Sequence, residues 1–121
     1  MPTYTPAQVV EETGLSIDTL RYYERIGLLD DVDRTPAGQR RFTDEHLSWL
    51  SLVRCLRESG MPIAEVVRFT QLTRQGDHTI PDRIALLKAH DRRVSTQIAA
   101  LHDQRRYLHR KISYFENLSS P

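Results

Sequence analysis

The chain has 121 residues, 39 % hydrophobic and 27 % charged, with five glycines and a formal net charge of +1 at pH 7. That length allows one small domain plus an extension, and the balance reads as a mainly α globular protein rather than a disordered one. A single cysteine, Cys55, excludes an intrachain disulfide framework; the apolar runs are far short of a membrane span and Met1-Pro2-Thr3-Tyr4 opens no signal peptide, so a cytoplasmic protein with no membrane partner is expected.

In chain order, Thr5-Pro6 reads as a helix start, with threonine as N-cap and proline at the first helical position. The helix covers Ala7–Thr13, carries Val9 and Val10 inward and ends at Gly14. Ser16 caps a second helix, Ile17–Ile26, which stops at Gly27. Two short helices joined by a glycine-containing step are the signature of a helix-turn-helix. The segment Leu28–Phe42 has no helical period. Its turn Thr35-Pro36-Ala37-Gly38, flanked by Val32-Asp33-Arg34 and Gln39-Arg40-Arg41-Phe42, predicts a small β-hairpin or wing. Thr43 caps a third helix that runs to Ser59 and stops at Gly60. Met61-Pro62 starts a fourth, from Ile63 to about Gln75, and Gly76-Asp77-His78 breaks it.

From Thr79 to Ser119 only Pro81 interrupts helix-forming sequence, and it sits in the first turn. The positions Ile84, Leu87, Asp91, Val94, Ile98, Leu101, Arg105, Leu108, Ile112 and Phe115 alternate in steps of three and four, and eight of these ten are apolar. That is a heptad stripe. A preceding domain of only ~75 residues offers too little apolar surface to cover it by folding back. A homodimeric coiled coil is therefore expected. In an antiparallel pair with Ile98 opposite Leu101 of the partner, Asp91 and Arg105 of opposite chains lie about one turn apart, near enough to pair. A parallel pair sets Asp91 against Asp91, which like-charge repulsion disfavours. The division expected is 1–75 as a winged helix-turn-helix domain and 79–117 as a dimerisation helix.

Bulk charge gives no support to nucleic-acid binding. Residues 1–60 hold seven arginines against ten acids, whereas residues 80–121 hold eight cations against four acids. Arginine outnumbers lysine fifteen to two, an excess ascribed mainly to genome base composition. Placement must carry the case. On a helical wheel Ile17 and Leu20 face inward, which leaves Asp18, Thr19, Tyr22 and Tyr23 outward and Arg21 at the flank.

The run Leu20-Arg21-Tyr22-Tyr23-Glu24-Arg25-Ile26-Gly27-Leu28, then Gly38-Gln39-Arg40-Arg41-Phe42, then Leu56-Arg57-Glu58-Ser59-Gly60-Met61, resembles the MerR family along the whole chain. The resemblance implies a transcription regulator, not an enzyme, that needs no cofactor. It implies a homodimer on a pseudo-palindrome in double-stranded promoter DNA, which bends and untwists an overlong spacer so that RNA polymerase meets both promoter elements. It also places the second helix in the major groove, with Asp18, Thr19 and Arg21 at base edges and Tyr22 and Tyr23 on phosphates; core packing between this helix and the wing is the competing reading for the tyrosines, Tyr23 above all. Arg40 of the wing matches the family arginine that reaches the backbone or minor groove, with Arg41 and Arg34 as further candidates. Glu24 is read as a structural partner for nearby arginines. An effector-less architectural DNA-binding protein is the alternative.

With one cysteine, neither a soft-metal thiolate site nor a four-cysteine iron–sulfur cluster can be built, and no metal is expected. His102 and His109, seven apart on one face, lack carboxylate partners and read as solvated. No appended drug-binding domain is expected after Pro121. The segment around Cys55 resembles the small Nml/AdhR branch, whose members respond to aldehydes and other thiol-reactive stress through one cysteine in this helix. Cys55 falls in a row with Ser48, Ser51 and Ser59, and Arg54 and Arg57 beside it are expected to favour the thiolate. The competing reading is a small buried hydrophobe.

Overall fold

The first three helices each begin where a short side chain satisfies their first amides, whereas the fourth opens at Pro62 with no side-chain cap. The computed structural model describes residues 2–29 and 32–120; the Asp30-Asp31 part of the segment leading into the wing, and Met1 and Pro121, lie outside the described residues. Helix α1 spans Pro6–Thr13 behind a full capping box: the Thr5 hydroxyl accepts from the Gln8 amide while the Gln8 side chain accepts from the Thr5 amide. Gly14, at φ 73°, ends it. Helix α2 spans Ile17–Arg25 behind Ser16, with Ile26 as its C-cap, and the chain then turns through Gly27. Helix α3 spans Asp44–Glu58, where Thr43 forms the second capping box with the imidazole of His46 in the usual place of Glu or Gln. Helix α4 covers Ile63–Gln75, a 3-10 turn covers Asp77–Thr79, and helix α5 runs without a break through Ile80–Ser119.

The wing is slight. Strand β1, Asp33–Arg34, pairs antiparallel with β2, Arg40–Arg41, in the register Asp33 to Arg41 and Arg34 to Arg40. Phe42 does not extend that pairing. It bridges instead to Tyr4, whose amide and carbonyl exchange hydrogen bonds of 2.8 and 2.9 Å with the Phe42 backbone. The N-terminal segment thus closes onto the outgoing end of the wing. The Tyr4 hydroxyl then donates to Asp44 at 2.6 Å, and that bond holds the tyrosine above its ordinary pKa.

The chain divides into two compact units, residues 1–83 and residues 84–121. In the first, α1 packs on α2 and α3, and α3 packs on α4. Their shared core is Val9, Leu20, Leu28, Phe42, Leu50, Val53, Leu56, Met61 and Val66, with Phe69 and Leu72 at its margin. Val9 is fully buried, whereas Val10 is only half so. Arginine side chains finish all four helices of this unit. Arg54 donates to the carbonyl of Thr13 at the end of α1, and Arg74 to that of Gly27 beyond α2. Arg57 donates to Met61 (2.7 Å) beyond α3, and Arg83 to Gly76 (3.0 Å) at the end of α4. The last carbonyls of a helix lack partners within it and form its negative pole, so a guanidinium satisfies both needs. Part of the arginine excess therefore has a structural use.

The second unit is the body of α5. Its stripe lies open in the single chain: Ile84, Ile98, Leu101, Leu108, Ile112 and Phe115 are all exposed, Leu101 by 58 % and Phe115 by 62 %. Tyr107, Tyr114 and Leu118 are exposed beside it. No helix among the described residues is long and apolar enough to cross a membrane.

Candidate nucleic-acid interface

Helix α2 presents a mixed outer face. Asp18, Arg21 and Tyr22 are exposed and Thr19 is half-exposed. Asp18 lies in the first turn of α2, where a carboxylate favours the positive end of the helix. That supplies a structural reason for an acid on the face expected to meet DNA. The Thr19 hydroxyl accepts from Ser16 at 2.9 Å, while the Ser16 oxygen caps the Thr19 amide at 3.0 Å. The Tyr22 ring carries the Arg25 guanidinium 5.4 Å from its centroid.

Tyr23 is not on the outer face. It is only 6 % exposed, which corrects its placement by the wheel. Ile17, Leu20 and Tyr23 follow one another in steps of three, so the inner stripe of α2 continues through the ring. Among the described residues the hydroxyl has no hydrogen-bond partner, and no fully buried side-chain N or O lacks one. The ring is therefore core while its oxygen reaches the surface.

One carboxylate of α2 reaches both strands of the wing. Glu24 pairs with Arg40 of β2 through Nε and with Arg34 of β1 at 3.4 Å, so one residue of α2 holds both strands. Arg34 also donates to the Gly38 carbonyl of the turn at 3.1 Å. Arg40 is half-buried and shares a recess of about 70 Å³ with Arg21, between Pro6, Ile17, Leu20 and Phe42. Arg41 is exposed. The structure thus brings Arg21, Arg40 and the outer face of α2 to one side of the unit. The reading of Glu24 as a structural partner for nearby arginines is borne out, and the folded geometry selects which arginines they are.

Replacing Glu24 by Gln is expected to release both wing arginines toward phosphate. Binding of a random-sequence duplex should tighten by about threefold to tenfold and depend more steeply on salt, because each extra phosphate contact adds ~0.9 to the slope. Fluorescence anisotropy across a salt series reads both quantities.

In the single chain Cys55 is exposed on α3, together with Ser48 and Ser51, so it is not part of the core of its own unit. The arginines beside it are engaged elsewhere. Arg54 holds Glu58 (2.7 Å) and the Thr13 carbonyl, and Arg57 holds the Met61 carbonyl. Among the described residues no group of three or more His, Cys, Asp or Glu is placed to hold a metal ion.

Comparison with known proteins decides the family. Residues 4–72 match the model of the MerR HTH family regulatory protein, and residues 47–111 match that of the MerR DNA-binding region. The chain belongs to the MerR family. An uncharacterized HTH-type transcriptional regulator of Haemophilus influenzae is 41 % identical over 114 residues, covering 94 % of this chain and 84 % of that protein. The HTH-type transcriptional regulator AdhR of Bacillus subtilis is 38 % identical over 81 residues, covering 67 % of this chain and 58 % of AdhR. Among solved structures, HiNmlR, a MerR family regulator lacking the sensor domain and bound to promoter DNA, superposes with a TM-score of 0.87 at 40 % identity. That match covers 96 % of this chain and 92 % of HiNmlR. This MerR-family chain is a DNA-binding transcription regulator and not an enzyme. Its fold is the mainly helical one of the family, with a two-stranded wing and a long C-terminal helix.

Proposed function

We propose that this MerR regulator works in the cytoplasm as a homodimer paired through α5 in an antiparallel coiled coil. The dimer binds a pseudo-palindromic promoter site and distorts the spacer between promoter elements, which brings RNA polymerase into register with both. The observation that carries the pairing is the stripe of α5 from Ile84 to Phe115, apolar at eight of ten positions, of which Ile84 and the four apolar members from Ile98 to Ile112, with Phe115, are exposed in the single chain while Leu87 and Val94 are half-buried. Asp18, Thr19 and Arg21 read base edges from α2, Tyr22 and the hydroxyl of Tyr23 hold phosphates, and Arg40 and Arg41 reach the backbone from the wing. In free protein Arg40 is neutralised by Glu24, so phosphate competes with that carboxylate for it.

Cys55 is the sensor in this reading. Its exposure on α3 and the likeness to AdhR support a thiol open to small electrophiles. With an aldehyde, sulfur adds to the carbonyl carbon and the oxygen takes up the thiol proton, giving a hemithioacetal. Transcription in vitro from the promoter nearest the gene, with and without formaldehyde, tests this on wild type and Cys55→Ser. A response lost in the serine variant is expected. A response that survives the substitution removes Cys55 from the role, and DNA occupancy with no effect on transcription favours an architectural protein.

A further inference from the structure

The arginines that finish α1 and α2 do not come from those helices. Arg54 belongs to α3 and lies 41 residues from Thr13; Arg74 belongs to α4 and lies 47 residues from Gly27. We propose that Arg54 and Arg74 are positioning residues for DNA binding, which hang the two helices of the helix-turn-helix from the α3–α4 pair by their C-terminal carbonyls. The proposal rests on the family's DNA binding and adds residues that touch no DNA.

The turn leaving α2 is held from both sides. Its amides at Leu28 and Leu29 both donate to the Tyr23 carbonyl, at 2.8 and 3.3 Å. Its carbonyls point the other way: Gly27 accepts from Arg74, and Leu28 accepts from the indole Nε1 of Trp49 at 2.7 Å. Trp49 is itself set by stacking on Phe69 of α4, with centroids 5.7 Å apart. Two donors, one from α3 and one from α4, therefore grip successive carbonyls of the segment that joins α2 to the wing. At α1, Glu58 orients Arg54 from one turn along α3. The guanidinium lies over Gly14 where an added Cβ would stand, so a side chain there would have to displace it.

These bonds are made near the surface, where their share of stability is small beside the burial of Val9, Leu20 and Leu50. Their geometric effect is larger. A shift of the Gly27–Leu28 turn moves α2 against the wing, and sequence-specific contacts require both to meet the duplex together. Charge-assisted bonds from a planar, permanently charged group suit that task.

The test uses the full-length protein, a duplex that wild type selects from a random-sequence pool, and an unselected duplex. Selection by wild type checks DNA binding itself. Arg54→Ala and Arg74→Ala should each weaken the selected duplex by about tenfold while leaving the unselected one and the slope against salt unchanged. Lysine at either position, which still donates one bond to a carbonyl, should recover most of that loss. Trp49→Phe keeps the ring on Phe69 but removes the donor to Leu28, and should show the same selective loss even if an alanine variant fails to fold. Wild-type binding in all three overturns the proposal. So does a slope reduced by about 0.9, which marks a direct phosphate contact, or an equal loss on both duplexes with no recovery by lysine.

Discussion

Phe42→Ala is expected to remove about 3–5 kcal/mol from the stability of the first unit, the usual cost of emptying a buried phenylalanine site. Small domains hold only about 5–15 kcal/mol in all, so this single change should leave a large unfolded fraction at 37 °C. Phe42 is 1 % exposed and meets the edge of His46 with ring centroids 5.9 Å apart. Its backbone also closes the bridge to Tyr4, so a collapse of the site would loosen the N-terminal segment as well as the wing. Urea unfolding followed through Trp49, the one tryptophan of the chain, measures the loss directly. A decrease below about 1.5 kcal/mol would mean that the site relaxes around the cavity.

Ile98→Glu combined with Leu101→Glu is expected to convert the protein to a monomer at micromolar concentration. In the antiparallel register these two positions face each other across the two-fold axis, so the pair of substitutions gathers four carboxylates at its centre. Sedimentation should then report a species near 14.1 kDa. Affinity for a two-half-site promoter should fall by at least about a hundredfold, because the second half-site contact ceases to be intramolecular. Ile98 and Leu101 are exposed in the single chain, so the melting of the first unit should not move with them. A dimer that survives the double substitution would place the pairing surface elsewhere on the chain.

Helix boundaries were legible because local chemistry sets them. Thr5-Pro6, Ser16, Thr43 and Gly60-Met61-Pro62 each mark an end that the structure places within a residue or two. The wing was legible from its turn, although its strands shorten to two residues each and Phe42 leaves them for Tyr4. That exchange joins residues 38 apart in sequence, and no neighbouring signal announces it. The error at Tyr23 has a different origin. Counting tyrosine as polar hid the step of three from Ile17 and Leu20, although an aromatic ring can be core while its hydroxyl stays wet. The arginines were least legible of all. A side chain of such reach and five donors chooses its partner by the folded geometry, so Arg54 and Arg57 read as neighbours of Cys55 but serve carbonyls. The long helix of α5 and the exposed apolar positions from Ile98 to Phe115 were legible, because a repeat of period 3.5 needs nothing beyond the helix itself, whereas the half-burial of Leu87 and Val94 was not.

The fit of Arg54 over Gly14 sets an asymmetric rule for how this chain can drift through mutation. Gly14 is held mainly by its left-handed backbone at φ 73°, which strains any other residue. The guanidinium standing where its Cβ would be is the end of a flexible side chain and can swing away. Position 54 can therefore vary while glycine persists at 14, whereas a change at 14 meets the backbone cost whatever stands at 54. Descendants of this sequence should accordingly include some that have lost the arginine and kept the glycine, and almost none that have kept the arginine and lost the glycine.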